Sequence, residues 1–236
     1  MLKYRRRVMT DRRLCAVMIR IAGLEKESTV DGPGIRNVIF LQGCVNHCKG
    51  CHNPQTWDPE GGELVKLETL YYEIDSWKSN PLIMGVTISG GDPFYFTTLL
   101  NSKPKEFWYR LKMLTALFRY AAHQYYGDLI VYTGHTRGHL LHPSLTKFLD
   151  YKELLNLPRY VITDPYIAEK RSVECLFRGS TNQTVHSFIF DNEQRIKDVG
   201  LTQYWNNGDI ETSNRYLESI APEKFEQKYF QQRARR

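Results

Sequence analysis

The sequence predicts one α/β domain built from mostly parallel strands with crossover helices. Two observations predict it: short β-branched runs bounded by Gly, Pro, Asn or Asp recur along the chain, and longer amphipathic segments separate them. A repeated strand–helix–strand order forms a parallel sheet, either an open sheet or a partial barrel. The length of 236 residues is enough for a substantial core. In such folds, the loops at the carboxyl ends of the strands carry the active site.

The predicted elements follow in chain order. Strands are expected where β-branched residues cluster, at 37–42, 85–89, 128–132, 159–163 and 185–190. Apolar residues at helical spacing predict helices over 64–77 and 107–125. A third helix is expected over 144–157, after Pro143.

Charge divides the chain into a body and two tails. The formal net charge is +6. Residues 1–14 hold six basic side chains against Asp11, and three arginines lie in the last four positions, so residues 15–232 carry a net charge of −2. A slightly acidic body argues against nucleic acid as a partner, because phosphate recognition needs a basic surface. We expect a basic N-terminal extension over 1–17, a domain over 18–190, and a polar C-terminal extension over 191–236 that ends in a helix near 213–232.

No segment of the sequence is expected to export the protein or to place it in a membrane. The apolar stretch 14–19 follows basic residues, but Arg20 interrupts it and no small-residue cleavage site follows. No uninterrupted apolar run reaches the length of a membrane span. We therefore expect a cytoplasmic protein in a reducing compartment, where clustered cysteines bind metal more often than they form disulfides.

Three of the five cysteines follow the first predicted strand in a C-x3-C-x2-C arrangement: Cys44, Cys48 and Cys51. A structural zinc site needs a fourth ligand, and His47 or His52 is too close in sequence to complete a tetrahedron comfortably. An iron–sulfur cube suits the loop better, because three thiolates hold three irons and leave the fourth iron open. Zinc and a chance grouping of cysteines remain alternatives at this point.

The motifs around these cysteines resemble those of a known family. The C-x3-C-x2-C spacing resembles that of radical S-adenosylmethionine (SAM) enzymes. The strings TVDGPGIR at 29–36, QGC at 42–44 and CHNP at 51–54 are similar to those of enzymes that activate glycyl radical enzymes. Further strings resemble the branch that activates anaerobic ribonucleotide reductases: SGGDP at 89–93, YTG at 132–134, ITDPY at 162–166 and RGSTNQ at 178–183. The resemblance runs from about Met18 to about Phe188.

The resemblance implies a radical SAM partial (β/α) barrel and two cofactors, a [4Fe-4S] cluster and SAM. The cluster ligands would be Cys44, Cys48 and Cys51, with SAM on the fourth iron. Reductive cleavage of SAM would form a 5′-deoxyadenosyl radical that removes a Cα hydrogen from a glycine of the reductase. The implied SAM contacts are Gly50, Cys51 and His52 at the adenine end, Gly90, Gly91 and Asp92 at the methionine end, and Thr133 on the same face. The cofactors carry the chemistry, so no side chain alone is predicted to be catalytic.

The resemblance also implies protein partners. Anaerobic ribonucleoside-triphosphate reductase is the expected protein substrate. The expected electron donor is a protein such as reduced flavodoxin. A homodimer is one option for the oligomeric state. An activase of another glycyl radical enzyme, such as pyruvate formate-lyase, is the first alternative, because it shares TVDGPGIR and CHN. A zinc-bearing nucleic-acid-binding module is an alternative of a different class, with the basic tails contacting phosphates. Arg36 and the run 178–183 are candidates for ordering the cluster loop, for docking the partner, or for a structural role.

The other cysteines, and the histidine pair at 135 and 139, are not expected to bind metal. Cys15 and Cys175 are isolated and are expected to be buried, small hydrophobic residues. His135 and His139 are four residues apart, but the glycines beside them favour a loop. A second metal site is therefore not predicted.

Overall fold

The computed structural model of the protein describes residues 17–125, 128–191, 193, 195–221 and 224. Its strands are β1 (Met18–Ser28), β2 (Ile35–Leu41), β3 (Glu63–Lys66), β4 (Ile83–Gly90), β5 (Leu129–Tyr132), β6 (Tyr160–Thr163), β7 (Thr184–Phe190) and β8 (Ile196–Gly200). Within the described residues, these eight strands form one sheet in the order β3-β1-β2-β4-β5-β6-β7-β8.

The centre of the sheet is parallel. The strands β2, β4, β5 and β6 pair in parallel. On one side β1 and β3, and on the other β7 and β8, are added by antiparallel pairing. The five predicted strands correspond to β2 and to β4 through β7. A mixed α/β fold with a parallel centre is therefore confirmed.

Three strands have no counterpart among the predicted ones: β1, β3 and β8. The exposed run Glu25, Lys26 and Glu27 interrupts the apolar residues of β1, and register shifts break its pairing with β2. The strands β3 and β8 form the two edges of the sheet, where short and polar strands are common. Strand prediction depends on the alternation of apolar and polar residues, and charged runs and exposed edge strands lack a clear alternation of this kind.

Helices occur where the apolar periodicity predicts them, with two corrections. They are α1 (Leu67–Ser76), α2 (Pro104–Gln124), α3 (Arg137–Leu140), α4 (Pro143–Thr146), α5 (Leu149–Asn156), α6 (Thr202–Asn206) and α7 (Ile210–Ile220). The helix predicted from residue 64 begins at Leu67, because Leu64 pairs with Arg20 in the β1–β3 ladder. The helix predicted over 144–157 is split into α4 and α5, because Phe148 has an extended backbone and its ring packs against Trp108.

The C-terminal segment packs on the sheet. The strand β8 pairs with β7, and Trp205 of α6 and Leu217 of α7 are buried in one cluster with Tyr160 of β6. The helix predicted near 213–232 overlaps α7 over 213–220, and most of its remaining positions lie outside the described residues. Beyond residue 221 only residue 224 is described.

The N-terminal extension predicted over 1–17 lies outside the described residues apart from Val17, and so does Cys15. The three domain boundaries therefore stay a prediction. Among the described helices, none combines the length and the apolar character that crossing a bilayer requires.

Arg36 forms a buried polar centre at the amino end of the parallel strands. Its side chain is 1% exposed. Its five N–H groups have acceptors in Thr87 Oγ1 (2.9 Å), Val86 O (2.9 Å), Pro33 O (3.3 Å), Asp128 Oδ1 (2.9 Å) and Asp128 O (2.8 Å). The DGPG turn closes over the guanidinium, since Gly32 has φ 133° and a Cβ there would lie 2.8 Å from Arg36 Cδ. Of the roles considered for Arg36, this geometry supports the structural one, because no donor remains for a partner.

Candidate functional site

Loops at the carboxyl ends of neighbouring parallel strands enclose one cavity of about 680 Å³. Cys44, Cys48 and Cys51 follow β2 and border it. The SGGDP and YTG stretches, at the ends of β4 and β5, also border the cavity. So do most residues of the segment 171–179, which lies in the loop after β6. Because the carboxyl ends of parallel strands meet at one edge of a sheet, motifs far apart in the sequence converge there.

Main-chain contacts shape the cysteine loop. Cys44 N donates to Trp57 O at 3.0 Å, and the ring of Trp57 stacks on that of His47 with centroids 4.7 Å apart. The backbone is left-handed at His47 and Gly50, with φ of 43° and 71°. These reversals allow a short loop to present several side chains to one cavity.

The three thiols fit a metal cluster by their chemistry. None of Cys44, Cys48 and Cys51 is in a disulfide. Asn46 N donates to Cys44 Sγ and Asn53 N donates to Cys51 Sγ, each at 3.4 Å. Burial raises the pKa of the Cys44 and Cys48 thiols, so a bound cation is needed to hold them as thiolates at neutral pH. Three unpaired thiols on the wall of one cavity suit a [4Fe-4S] cluster.

Two glycines allow the end of β4 to press against the cysteine loop. Gly91 N donates to Leu41 O at 2.8 Å, and Asp92 N donates to Gly43 O at 2.7 Å. Gly90 has φ 99°, a left-handed conformation that favours glycine. A Cβ on Gly91 would lie 2.3 Å from Gly43 O. The close approach therefore requires glycine at position 91.

We expect Gly91→Ala to lower the free energy of unfolding by about 1–3 kcal/mol, because the added methyl meets the Gly43 carbonyl. Gly23→Ala in β1 is the matched control, since no atom lies within 4 Å of a Cβ there. The control should change the same free energy by no more than about 1 kcal/mol. Urea unfolding of both variants measures the difference, and equal shifts would contradict the close approach.

Asp92 lies between the cysteine loop and the ends of β4 and β5. It is 2% exposed. Among the described residues, four groups donate to its carboxylate: Thr133 Oγ1 (2.7 Å) and Phe94 N (2.9 Å) to Oδ1, and Asn46 Nδ2 (2.9 Å) and Gly134 N (3.0 Å) to Oδ2. The hydroxyl of Thr133, an expected SAM contact, is therefore engaged with Asp92.

His52 and Tyr166 form an aromatic corner beside the third cysteine. Their ring centroids are 5.0 Å apart with the planes tilted by 46°, and both residues border the cavity. A Cβ on Gly50 would lie 3.3 Å from Ala168 Cβ and 3.9 Å from Tyr166. The structure therefore brings Gly50 and His52 together with Tyr166 from the loop after β6.

Sequence reasoning did not single out every residue at the cavity. Asn46 lies between two of the cysteines, and Tyr132 and Tyr166 belong to the YTG and ITDPY strings, so their motifs are the signal that could have found them. Cys175 corrects a prediction: it borders the cavity and is partly exposed rather than buried. The reason is that the segment 171–179 folds beside the cavity instead of entering the core.

A second correction concerns His135 and His139. One helical turn, α3, begins at Arg137 where a loop is predicted, because Thr136 Oγ1 caps it by accepting from His139 N at 3.2 Å. The two imidazole rings stack with centroids 4.2 Å apart. The glycines therefore do not prevent a helical turn here.

The RGSTNQ turn is held by its own hydrogen bonds. Arg178 Nη1 donates to Gln183 O at 2.9 Å, and Gly179 N donates to Gln183 Oε1 at 2.8 Å. Arg178 Nη2 also donates to Asn206 Oδ1 of α6 at 2.5 Å. These contacts support a structural role for Arg178 at the cavity wall.

One family model and several known proteins match this chain. Residues 30–186 match the family model described as a 4Fe-4S single cluster domain. The chain is 31% identical over 160 residues to the anaerobic ribonucleoside-triphosphate reductase-activating protein of Enterobacteria phage T4, which covers 67% of this chain and 87% of the phage protein. It is 46% identical over 79 residues to the pyruvate formate-lyase 1-activating enzyme of Escherichia coli (strain K12), which covers 33% of this chain and 32% of that enzyme. The pyruvate formate-lyase-activating enzyme of Clostridium pasteurianum is 45% identical over 78 residues, which is 32% of this chain and 33% of that enzyme.

Proposed function

Because the chain belongs to the 4Fe-4S single cluster domain family and to the anaerobic ribonucleoside-triphosphate reductase-activating proteins, we propose that it generates a glycyl radical on a partner reductase. One observation carries this function: three free thiols and the SGGDP turn border the same cavity. The protein is then an oxidoreductase of the radical SAM class.

The residues for the cluster are those of the cysteine loop. Cys44, Cys48 and Cys51 would hold a [4Fe-4S] cluster and leave one iron for SAM. When bound, the cluster and SAM supply a one-electron cleavage that yields a 5′-deoxyadenosyl radical, which removes the Cα hydrogen of a glycine in the partner. The chain itself would orient the two cofactors and exclude other reactants.

Two regions of the cavity wall would bind the two ends of SAM. The methionine end would lie on the glycines of the SGGDP turn, Gly90 and Gly91, which permit close approach of the backbone. The adenine end would lie at the corner of His52 and Tyr166, whose rings offer a stacking surface. Because Gly50 has no side chain, the loop after β6 and the nucleotide could both approach its backbone closely.

The finer fold assignment is also part of the proposal. Parallel strands β2, β4, β5 and β6, with the functional loops at their carboxyl ends, support a radical SAM partial barrel. A one-electron donor such as reduced flavodoxin, a cytoplasmic location and a homodimer complete the proposal.

The mouth of the cavity suits a protein substrate. Val30 is 74% exposed and Val173 is 94% exposed, and both border the cavity. Exposed apolar side chains at a cavity entrance favour contact with a polypeptide segment. The glycine-bearing segment of the reductase would approach there.

Activation of pyruvate formate-lyase is the second candidate. The observation that favours it is the higher identity, 46%, to the Escherichia coli enzyme. That match covers only 32% of that enzyme, whereas the match to the phage protein covers 87% of it. Because the match to the phage protein covers 160 residues against 79, we favour the reductase.

The experiment presents both partners to the same protein. The anaerobically reconstituted chain is mixed with SAM, a reductant and either anaerobic ribonucleotide reductase or pyruvate formate-lyase, and the glycyl radical is counted by electron paramagnetic resonance. We expect the radical on the reductase and none when its radical-bearing glycine is replaced by alanine. A radical on pyruvate formate-lyase alone would replace the proposal by the second candidate.

A further inference from the structure

We propose that Asp92 and Asn46 form a brace that fixes the cysteine loop to the ends of β4 and β5, and that Asp92 positions the SAM site without binding SAM through its carboxylate. The role toward SAM rests on the proposed function. The brace itself is a property of the folded chain and does not depend on it.

Donors among the described residues fill the hydrogen-bonding capacity of the Asp92 carboxylate. A carboxylate has about four lone-pair sites, and four described donors already occupy those of Asp92, two on each oxygen. The residue is 2% exposed, so its oxygens are covered by protein. An ammonium group of SAM would have to displace one of these donors, and a buried donor left without an acceptor is costly.

The donors to Asp92 come from different segments of the chain. Asn46 belongs to the cysteine loop, Phe94 follows the SGGDP turn, and Thr133 and Gly134 follow β5. One carboxylate therefore joins three segments that all border the cavity. Hydrogen bonds to a charged acceptor are stronger than neutral ones, so this junction orders all three.

Asn46 fits closely between Asp92, the first cysteine and Gly134. Its main-chain N–H donates to Cys44 Sγ at 3.4 Å while its side chain donates to Asp92 Oδ2 at 2.9 Å. A Cβ on Gly134 would lie 2.3 Å from Asn46 Nδ2, so only glycine leaves room for the amide. The same residue thus links Asp92 to the first cysteine, and the glycine of YTG is explained by this link.

The ammonium group of SAM would be met by the main chain of the SGGDP turn, whose residues 89–91 border the cavity, rather than by the Asp92 side chain. Replacing Asp92 would then weaken SAM binding through the loop, and replacing Asn46 would weaken it in the same way.

Amide hydrogen exchange of the full-length chain without iron tests the brace. We expect Asn46→Ala and Asp92→Asn each to speed exchange in the peptide 43–57 by at least about tenfold, the factor that corresponds to losing one hydrogen bond to a charged group. Their combination should add little to Asp92→Asn alone, because that variant already loses the contact between the two side chains. Val45→Ala, an exposed neighbour in the same loop, is the matched control and should leave the exchange unchanged.

Rescue and an independent variant complete the test. Asn46→Asp combined with Asp92→Asn reverses donor and acceptor and should recover part of the lost protection. Gly134→Ala should reproduce the effect of Asn46→Ala from the other side of the contact. Unchanged exchange in both Asn46→Ala and Gly134→Ala would overturn the brace.

SAM binding to the anaerobically reconstituted protein separates positioning from direct contact. Positioning predicts that Asn46→Ala and Asp92→Asn weaken SAM binding to a similar degree. A carboxylate that binds SAM directly predicts a loss in Asp92→Asn and full affinity in Asn46→Ala, which would overturn the positioning role. If the unaltered chain retains no iron, the proposed function fails while hydrogen exchange still decides the brace.

Discussion

Cys48→Ala is expected to abolish iron retention and SAM cleavage, and Cys44→Ala and Cys51→Ala are expected to do the same. Each change removes one of three thiols that border the cavity, and a cube held by only two thiolates leaves two irons without a protein ligand. We expect 5′-deoxyadenosine formation to fall by more than about 100-fold, beyond the loss typical of residues that only support a ligand.

Iron and sulfide analysis together with product chromatography measures this effect. Cys15→Ala is the control, because Cys15 does not belong to the C-x3-C-x2-C motif. The control should retain iron and activity equal to those of the unaltered protein. A Cys48→Ala protein that still binds a cluster and cleaves SAM would contradict the ligand assignment.

Arg36→Ala is expected to be the most destabilising single change in the parallel sheet. It leaves Asp128 without its buried partner and removes the hydrogen bonds that the guanidinium donates to the carbonyls of Val86 and Pro33. Breaking a buried ion pair from one side costs about 3–5 kcal/mol. Arg36→Lys keeps the charge but not the five-donor fork, so we expect a smaller loss of the same sign.

Denaturant unfolding measures this loss of stability. Arg215→Ala is the matched control, since its ion pair with Glu211 on α7 is exposed at both ends, and such pairs contribute at most about 1 kcal/mol. If Arg36→Ala cost no more than Arg215→Ala, the structural role of the guanidinium would be wrong.

The sequence predicts the parallel centre of the fold because its strands are short, β-branched and buried. Val86, Ile88 and Val161 are fully buried, and runs of this kind are typical of strands covered on both faces. The antiparallel additions escape prediction for the opposite reason. In β1 the charged residues Glu25 and Lys26 break the alternation, and in β3 an exposed Leu64 imitates the apolar face of a helix.

The candidate site is predictable in outline because the topology of a parallel sheet brings the strand ends to one edge. Once Cys44, Gly91 and Thr133 are placed after three neighbouring parallel strands, the sheet brings them to one edge. The contact between Asn46 and Asp92 is not predictable in this way. It joins residues 46 positions apart and depends on the exact fit of an amide beside Gly134.

The distinction between binding and positioning also needs the structure. A sequence shows that Asp92 follows two glycines, which suits a ligand for an ammonium group as well as it suits a turn. Only the surrounding donors show that both carboxylate oxygens are occupied. The same holds for Arg36, whose DGPGIR string does not reveal a saturated guanidinium.

The central claim is that the cysteine loop carries a cluster that cleaves SAM. Its most direct test is anaerobic reconstitution with iron and sulfide, followed by dithionite and SAM, with 5′-deoxyadenosine counted against protein. We predict about four irons and four sulfides per chain, and 5′-deoxyadenosine that requires both reductant and SAM. A reconstituted protein that retains no iron and forms no 5′-deoxyadenosine would contradict the claim.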